Sequence, residues 1–316
     1  MVQQGTIVTM ARGQYRLRAP LGGSAYGVVW RAEALGAGAD VAVKLVNTDQ
    51  MARAPSTLRH HWRDSARIEA AFLAALAPWD GRHIVRLLDS GVHEGLPAMA
   101  LELLDGDLAA HVKAERAAGR APTARQALAW ASQVNQALAK VHAAGFRYLD
   151  LKPANLLLDR GNATVKLADF GTSRALLDGP CASYAGTASW QAPEQFFPQA
   201  RGLYHSDRRS DYFALGALLY WLVCGRMLRY GAACRQAYAD HGREGAGVLR
   251  RAHGGVPPTL YPDEDAAVAQ ALGAAGAALL RDLLAPTLDA RPAHALEISR
   301  RLDALSACPT ALRRAA

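Results

Sequence analysis

The first hundred residues alternate between short apolar runs and glycine-rich turns. Five of these runs are short and partly β-branched, which is typical of strands. Residues 60–76 differ, because their apolar side chains recur at intervals of three and four and so predict an amphipathic helix. The predicted strands are residues 16–20, 28–32, 41–46, 84–88 and 98–103. This part of the chain is therefore predicted to be strand-rich with one helix.

The rest of the chain has mostly helical patterns. Residues 123–144 form a long amphipathic pattern for which Thr123 is a suitable N-cap. Two apolar runs, residues 156–158 and 165–167, flank a polar turn and predict a hairpin. Helical patterns dominate from residue 211 onward. Strands followed by helices predict the α+β fold class, with a small strand-rich lobe before a larger helical one.

Composition excludes several classes of protein. The 316 residues are 51% hydrophobic, which is enough to bury a core in one large domain or two lobes. The four Cys form no C-x-x-C pair, which argues against a disulfide scaffold or a zinc module and favours a reducing, cytoplasmic location. The longest uncharged apolar stretch, residues 212–224, is too short to cross a bilayer, so no transmembrane segment is predicted.

The formal net charge is +8, and only five of the 36 basic residues are Lys. This arginine bias accompanies an alanine bias and reflects coding composition, so no nucleic-acid partner is expected. The scarcity of lysine makes each one informative. Lys44 is the only lysine in the first 112 residues.

A glycine-rich turn precedes the strand that carries Lys44. Gly22, Ser24 and Gly27 stand where a G-x-G-x-x-G loop lets the backbone approach phosphates, although an ordinary hairpin turn gives the same spacing. The Lys44 ammonium either contacts phosphates or reaches solvent at a sheet edge. Glu69, in the predicted helix, either pairs with Lys44 or is a solvated helix residue.

The most specific motif is residues 148–158, Y-L-D-L-K-P-A-N-L-L-L. Asp150, Lys152 and Asn155 stand in a loop before an apolar strand. An aspartate can accept a hydroxyl proton, a lysine can neutralise a transferring phosphoryl group, and an asparagine can ligate Mg²⁺. Asp169, followed by Phe and Gly after the predicted hairpin, adds a second metal ligand.

Three later motifs complete the series: residues 186–194 (G-T-A-S-W-Q-A-P-E), 210–216 (S-D-Y-F-A-L-G) and 289–292 (D-A-R-P). Each alone is compatible with an ordinary loop, a capped helix start or a turn. Taken in order, all these motifs resemble those of the eukaryotic-type protein kinase family, most of all its bacterial serine/threonine members. The resemblance covers residues 12–305.

The resemblance implies a bilobal protein-kinase-like fold. Its small antiparallel β lobe would span residues 12–103 and its larger helical lobe residues 104–305, between an N-terminal extension (1–11) and a C-terminal tail (306–316). It also implies a non-specific serine/threonine protein kinase of signal transduction, which uses ATP and Mg²⁺ to phosphorylate Ser or Thr of protein substrates.

The family's functional residues carry over position by position. The implied catalytic residues are Asp150 as base, Lys152, Asn155, and Lys44 paired with Glu69; Asn155 and Asp169 would hold Mg²⁺. The implied nucleotide contacts are Leu21, Gly22, Gly23, Ser24, Gly27, Val29, Ala42, Lys44, Leu101, Glu102, Leu103, Asp107, Leu157 and Asp169. Asp105 is a second candidate for the ribose contact of Asp107. The implied structural residues are Asp211 beneath the catalytic loop, the pair Glu194 and Arg291, and a spine of Leu73, Leu87, Tyr148 and Phe170.

One departure from the family changes the expected regulation. Leu149 replaces the arginine that precedes the catalytic aspartate and cannot bind a phosphate. We therefore predict that activity does not depend on phosphorylation within residues 169–194, at Ser183 or Thr187 for example. Thr187 is expected to act differently, by bridging the catalytic aspartate and Lys152.

Two alternatives to a protein kinase remain open. A small-molecule phosphotransferase of the aminoglycoside-kinase type shares the catalytic aspartate and asparagine, but Lys152, Thr187 and residues 192–194 favour a protein substrate. A pseudokinase acting as a binding module would normally have lost a phosphate or metal ligand. All four are present: Lys44, Asp150, Asn155 and Asp169.

Residues 226–251 match no family motif and carry a net charge of +4. The segment is either a solvated arginine-rich surface or a docking site for an acidic partner. Its charged residues are Arg226, Arg229, Arg235, Arg243, Arg250 and Arg251, with Asp240 and Glu244. The sequence does not indicate the physiological substrate, the activating signal or the oligomeric state.

Overall fold

The computed structural model describes residues 2–24, 26–36, 38–181 and 184–307, which form two compact units. The first unit contains the chain up to Asp105 together with Leu157–Asn162 and Leu167–Gly171. The second contains Gly106–Leu156, Ala163–Lys166 and the chain from Thr172 onward. Ser183 and residues 308–316 of the predicted tail lie outside the described residues.

The first unit is built on a six-stranded antiparallel sheet. Its strands are β1 (Ile7–Thr9), β2 (Gln14–Gly23), β3 (Gly27–Leu35), β4 (Asp40–Val46), β5 (Leu87–His93) and β6 (Leu96–Glu102), in the order β1-β2-β3-β4-β6-β5. Side chains alternate between the two faces of a strand, so Val41, Val43 and Leu45 of β4 enter the same apolar core. Gly-rich and polar turns separate the strands, as the sequence predicts.

Three details of the first unit differ from the prediction. Strand β1 has no counterpart among the predicted strands, yet Val8 and Met10 of the expected extension are buried in the core of the sheet. The unit has two helices, α1 (Thr48–Arg53) and α2 (His60–Ala75), so the expectation of one was wrong. Strand β5 begins at Leu87 and not at residue 84 as predicted, since Ile84 makes only an isolated bridge.

The second unit is mainly helical. Its helices are α3 (Leu108–Ala117), α4 (Ala124–Ala143), α5 (Pro193–Phe196), α6 (Arg208–Cys224), α7 (Arg229–His241), α8 (Gly245–His253), α9 (Pro262–Leu283) and α10 (Ala295–Ala307). Strand β7 (Phe146–Arg147) pairs with β10 (Arg174–Ala175). The predicted hairpin is present as β8 (Leu156–Asp159) and β9 (Thr164–Leu167), and the division between the units passes through it. The α+β fold class is therefore confirmed.

Two helices of the second unit show why the motifs lie where they do. The N-cap Thr123 accepts the N–H of Gln126 at 3.2 Å, and Gln126 accepts the N–H of Thr123 at 2.9 Å, which begins α4 as predicted. Helix α6 is buried along most of its length. A Cβ on its Gly216 would lie 2.9 Å from the Cβ of Leu283, so the glycine of this motif allows α6 and α9 to pack closely.

Among the described residues, no single helix is both long enough and apolar enough to cross a membrane. One sharply bent pair, α6 followed by Arg229–His253, meets the criteria of length and composition.

Candidate active site

The strand register places the expected nucleotide contacts of the first unit on one face of the sheet. Lys44 on β4 pairs with Val29 on β3 and with Met99 on β6, while Ala42 pairs with Leu101. Directly paired residues of antiparallel strands project to the same side, and residues two apart on one strand do as well. These side chains therefore share the face opposite the apolar core.

Three charged groups meet on this side of the first unit. The Lys44 Nζ donates to both carboxylate oxygens of Glu69, at 2.7 and 2.8 Å, and to Oδ1 of Asp169 at 2.8 Å. Burial opposes the charge of Lys44, but Asp169 and Glu69 outweigh it and raise the pKa of Lys44. Lys44 therefore stays a cation, and the predicted pairing with Glu69 is present in the geometry.

Ser65 and Phe72 support this cluster, although the sequence analysis did not single them out. The Ser65 hydroxyl donates to the carbonyl of Gly171 at 2.8 Å, and Phe72 stacks on Phe170 with the ring centroids 4.5 Å apart. Ser65 and Phe72 lie four residues before and three after Glu69, so helical spacing alone puts them on the same face. That spacing is the signal that the sequence offers for both residues, although Leu73 shares it with Phe72.

The backbone after β9 is shaped for this contact. Asp169 has a positive φ of 60°, which a residue with a side chain rarely adopts. A Cβ on Gly171 would collide with the Ser65 hydroxyl, so a larger residue would displace the Ser65 side chain from its hydrogen bond. Of the predicted spine, Leu73 and Phe170 are buried in the first unit, Tyr148 is buried in the second, and Leu87 is half-buried. The stacked spine itself stays a prediction.

The glycine-rich turn joins β2 to β3, with Gly22 and Gly23 as the last residues of β2. A Cβ on Gly27 would lie 2.9 Å from Cε of Lys44, so a side chain at this position would crowd the aliphatic part of the lysine. Ser24, which stands where the motif normally has glycine, uses its hydroxyl to accept the N–H of Gly27 at 3.2 Å. Leu21, by contrast, is exposed.

The predicted contacts to adenine and ribose are partly engaged already. The N–H of Glu102 donates to the carbonyl of Arg86 at 3.1 Å, so it is not open to a ligand. Asp107 accepts the N–H of Ala110 at 2.8 Å as the N-cap of α3, and Asp105 accepts the N–H of Arg160 at 2.8 Å. Leu103 and Leu157 are half-buried.

A second cluster forms around Asp150 in the second unit. Lys152 Nζ donates to Oδ2 of Asp150 at 2.7 Å and to the hydroxyl of Thr187 at 2.8 Å, and that hydroxyl donates to Oδ1 of Asp150 at 2.7 Å. The amide of Asn155 donates to the Asp150 carbonyl at 2.9 Å and to Oδ2 at 3.1 Å. The predicted bridge through Thr187 is thus present.

Asp211 of α6 supports the loop that carries Asp150. Its buried carboxylate accepts the N–H of Tyr148 at 2.9 Å and the N–H of Leu149 at 2.7 Å, as the sequence predicts. His142, which the sequence gave no reason to select, contacts the same carboxylate at 2.8 Å. Leu149 has a φ of 70°, a strained value for leucine, and these hydrogen bonds stabilise it there.

Glu194 and Arg291 form the expected structural pair. The guanidinium donates to both carboxylate oxygens, at 2.6 and 2.9 Å, and its Nε donates to the carbonyl of Ala285 at 2.8 Å. Ser210 adds a hydrogen bond of 2.6 Å to the carboxylate. Both partners are buried, so the pair joins the 186–194, 210–216 and 289–292 motifs.

One residue in each unit offers an oxygen that suits a hard cation such as Mg²⁺. Asn155 uses its amide nitrogen on Asp150, which leaves its amide oxygen as the ligand atom, and Asp169 supplies a carboxylate that is about one-third exposed. Protein sites for Mg²⁺ typically contribute one or two such oxygens, with water and substrate phosphates completing the shell. The described residues contain no cluster of three or more His, Cys, Asp or Glu able to hold a metal.

Comparison with known proteins agrees with this geometry. The protein kinase domain family matches residues 15–300. A probable serine/threonine-protein kinase of Streptomyces coelicolor is 32% identical over 269 residues, covering 82% of this chain and 37% of that protein. The serine/threonine-protein kinase PknB of Mycolicibacterium smegmatis is 34% identical over 242 residues, covering 74% and 35%. Pkn1 of Myxococcus xanthus is 31% identical over 274 residues, covering 84% and 35%. The chain thus spans about a third of the length of these relatives.

Proposed function

The chain belongs to the protein kinase domain family, and from this premise we propose that it transfers the γ-phosphoryl group of ATP to Ser or Thr hydroxyls of protein substrates. The Lys44 ammonium, bound by Glu69 and Asp169 at 2.7–2.8 Å, is the observation that carries the proposal. A buried, preorganised cation beside a metal-binding carboxylate is what nucleotide phosphates require.

The chemistry divides among the chain's own residues. ATP with Mg²⁺ would supply the transferable phosphoryl group. In the first unit, Lys44 would contact the phosphates and Asp169 would hold the metal. Asp150 would orient the acceptor hydroxyl and accept its proton, and Lys152 would offset charge on the phosphoryl group in flight. Asn155 would hold the metal. Lys152 beside Thr187 favours a Ser/Thr protein acceptor over a small molecule.

The direct test is transfer of label from γ-labelled ATP with Mg²⁺ to a generic basic protein. Asp150→Asn is the control, because it keeps the shape of the side chain and removes the proton acceptor. We expect wild type to label the substrate and the variant to lose on the order of 10²-fold or more of this rate. Equal labelling by both would refute the mechanism. ATP-dependent thermal stabilisation without any transfer would favour the binding-module alternative.

The neutral contacts of residues 169–194 support activity without phosphorylation of that segment. Cys181 forms a backbone bridge with Tyr204, at 2.9 and 3.1 Å, and the ring of Tyr184 stacks on that of Tyr238 at 4.9 Å. Gln191 donates to the carbonyl of Ala185 at 2.6 Å. These contacts replace, in our proposal, an arginine–phosphate anchor. A large activity loss after phosphatase treatment would contradict it.

The arginine-rich segment contributes unequally to any docking surface. Arg226 donates to the hydroxyl of Tyr220 at 2.9 Å, and Arg229 pairs with Asp263 and lies over Tyr261. These two arginines are engaged within the unit. The other arginines on or beside α7 and α8 are also exposed, and they are Arg235, Arg243, Arg250 and Arg251.

An acidic substrate segment is the partner that this remaining charge fits. Arg250 also packs on Phe197, so a charge reversal there would disturb packing. The better test combines Arg235→Glu with Arg251→Glu, and uses Arg125→Glu, at an exposed position of α4, as the control. We expect protein phosphorylation to weaken more than ATP hydrolysis. An equal effect on both, or an equal effect of the control, would exclude docking.

A cytoplasmic location stays part of the proposal. It is supported by the free thiols of Cys224 and Cys234 among the described residues, which suit a reducing compartment.

A further inference from the structure

The glycine-rich turn is bound to the start of α1 by one residue, Asn47. The side-chain amide of Asn47 donates to the carbonyl of Ser24 at 2.9 Å, and its backbone N–H donates to the carbonyl of Tyr26 at 2.9 Å. Within the turn, Ser24 and Gly27 exchange two further hydrogen bonds, at 2.7 and 3.2 Å. Hydrogen bonds therefore hold Ser24, Tyr26 and Gly27, the described residues on either side of position 25.

Asn47 has a second, separable task. Its side-chain oxygen accepts the N–H of Gln50 at 3.1 Å and so caps α1. The oxygen serves the helix and the nitrogen serves the glycine-rich turn. Residues such as Ser can replace the cap oxygen but are too short to reach the carbonyl of Ser24, so substitution can separate the two tasks.

An aromatic contact ties the same turn to α2. The rings of Tyr26 and Trp62 lie 5.2 Å apart at 50°, with Trp62 in the first turn of α2. Helix α2 also carries Glu69, the partner of Lys44. Tyr26, Gly27, Lys44, Glu69 and Asp169 line one cavity of the first unit. The turn, the lysine and the helix thus surround a single space.

We propose that Asn47 and Trp62 are positioning residues that preorganise the glycine-rich turn over Lys44 for the phosphates of a nucleotide. The inference rests on the proposed function for the identity of the ligand, but not for the tether itself. A turn that is ordered before binding loses less freedom when the ligand arrives, so the tether lowers the KM for ATP. Asn47 touches no reacting group and acts through the carbonyls of Ser24 and Tyr26.

The test compares Asn47→Ser with wild type, both as the full chain. Serine keeps the α1 cap and loses the donor to Ser24, whereas Asn47→Ala loses both. Hydrogen exchange of a peptide covering residues 22–28, without nucleotide, is the first measurement. We expect faster exchange at Ser24 and Gly27 in Asn47→Ser and an unchanged rate in the rest of the sheet.

Nucleotide kinetics are the second measurement. Loss of one hydrogen bond is expected to raise the KM for ATP about three- to tenfold with kcat changed less than twofold. Trp62→Ala is expected to act in the same direction, and Arg63→Ala, exposed on the same turn of α2, is the control. Because both ties hold one turn, the double variant Asn47→Ser/Trp62→Ala should raise KM by less than the product of the single effects.

The outcomes separate the two proposals. Unchanged exchange over residues 22–28 in Asn47→Ser overturns the tether, whatever the activity of the protein. Faster exchange in a protein that binds no ATP retains the tether but overturns its role in nucleotide binding and, with it, the proposed function. A fall in kcat with an unchanged KM would also overturn the positioning role.

Discussion

Asp211→Asn tests how the catalytic loop is stabilised. The carboxylate accepts two loop N–H groups, from Tyr148 at 2.9 Å and Leu149 at 2.7 Å, together with the ring of His142 at 2.8 Å. An asparagine offers one acceptor oxygen in place of two. In either orientation at least one of these buried donors faces an amide N–H₂ group instead of an oxygen.

The cost can be estimated from these contacts. A buried donor without a partner costs about 1–3 kcal/mol. The hydrogen bonds also hold Leu149 at a φ of 70°, where a non-glycine residue stores about 1–3 kcal/mol of strain. Once a bond is lost, that strain favours departure of the loop from its productive conformation. Since 1.36 kcal/mol is a factor of ten, a shift of about 1–3 kcal/mol lowers kcat roughly five- to 150-fold.

Steady-state kinetics with a protein substrate provide the measurement. We expect kcat to fall while the KM for ATP changes less than twofold, because Lys44 and Glu69 lie in the first unit. Asp207→Asn is the matched control, since it removes the same charge at the N-cap of the same helix and asparagine remains a good cap. A kcat for Asp211→Asn within twofold of wild type, or equal to that of the control, would refute this reasoning.

Three further experiments test other contacts. Glu69→Gln removes a charge that raises the pKa of Lys44, so kcat/KM for ATP should fall about tenfold in initial-rate assays. An unchanged kcat/KM would contradict the proposed role of this ion pair. Gly27→Ala should lower the free energy of unfolding by about 1–3 kcal/mol in urea titrations, whereas Gly22→Ala, whose Cβ meets nothing within 4 Å, should not; equal losses would count against the packing argument. Arg291→Met should lower the free energy of unfolding by about 3–5 kcal/mol, because it leaves the Glu194 carboxylate buried and unpaired. The double variant with Glu194→Leu should recover part of this loss. Additive losses in the two single variants and the double variant would contradict the pairing.

Features that depend on neighbours within about four residues were predictable from the sequence. Helix α4 begins at its predicted cap, and α2 follows its apolar spacing. Asp150, Lys152 and Asn155 cluster as the D-L-K-P-x-N motif predicts, because a tight loop of six residues brings their side chains together. The scarcity of lysine correctly drew attention to Lys44.

Features that join distant parts of the chain were not predictable in the same way. Strand β1 has three residues, too few for a recognisable period, and is recognised only because Val8 fills the core of the sheet. Helical spacing offered Phe72 and Leu73 equally, and only the packing showed that Phe72 stacks on Phe170. Likewise, nothing in the sequence near His142 indicates a partner 69 residues away.

The sequence by itself determined the family, the order of the proposed catalytic residues and most of the regular elements, since each depends on residue type and short spacing. The tertiary structure decided which groups those residues contact. In the sequence, Asn47 is an ordinary polar residue after a strand, and only the fold places its amide beside the carbonyl of Ser24. In the sequence, Ser24 is a departure from the glycine-rich motif, and only the structure shows that its hydroxyl accepts the N–H of Gly27. Hydrogen bonds are short and directional, so their partners are settled only when the whole backbone path is in place.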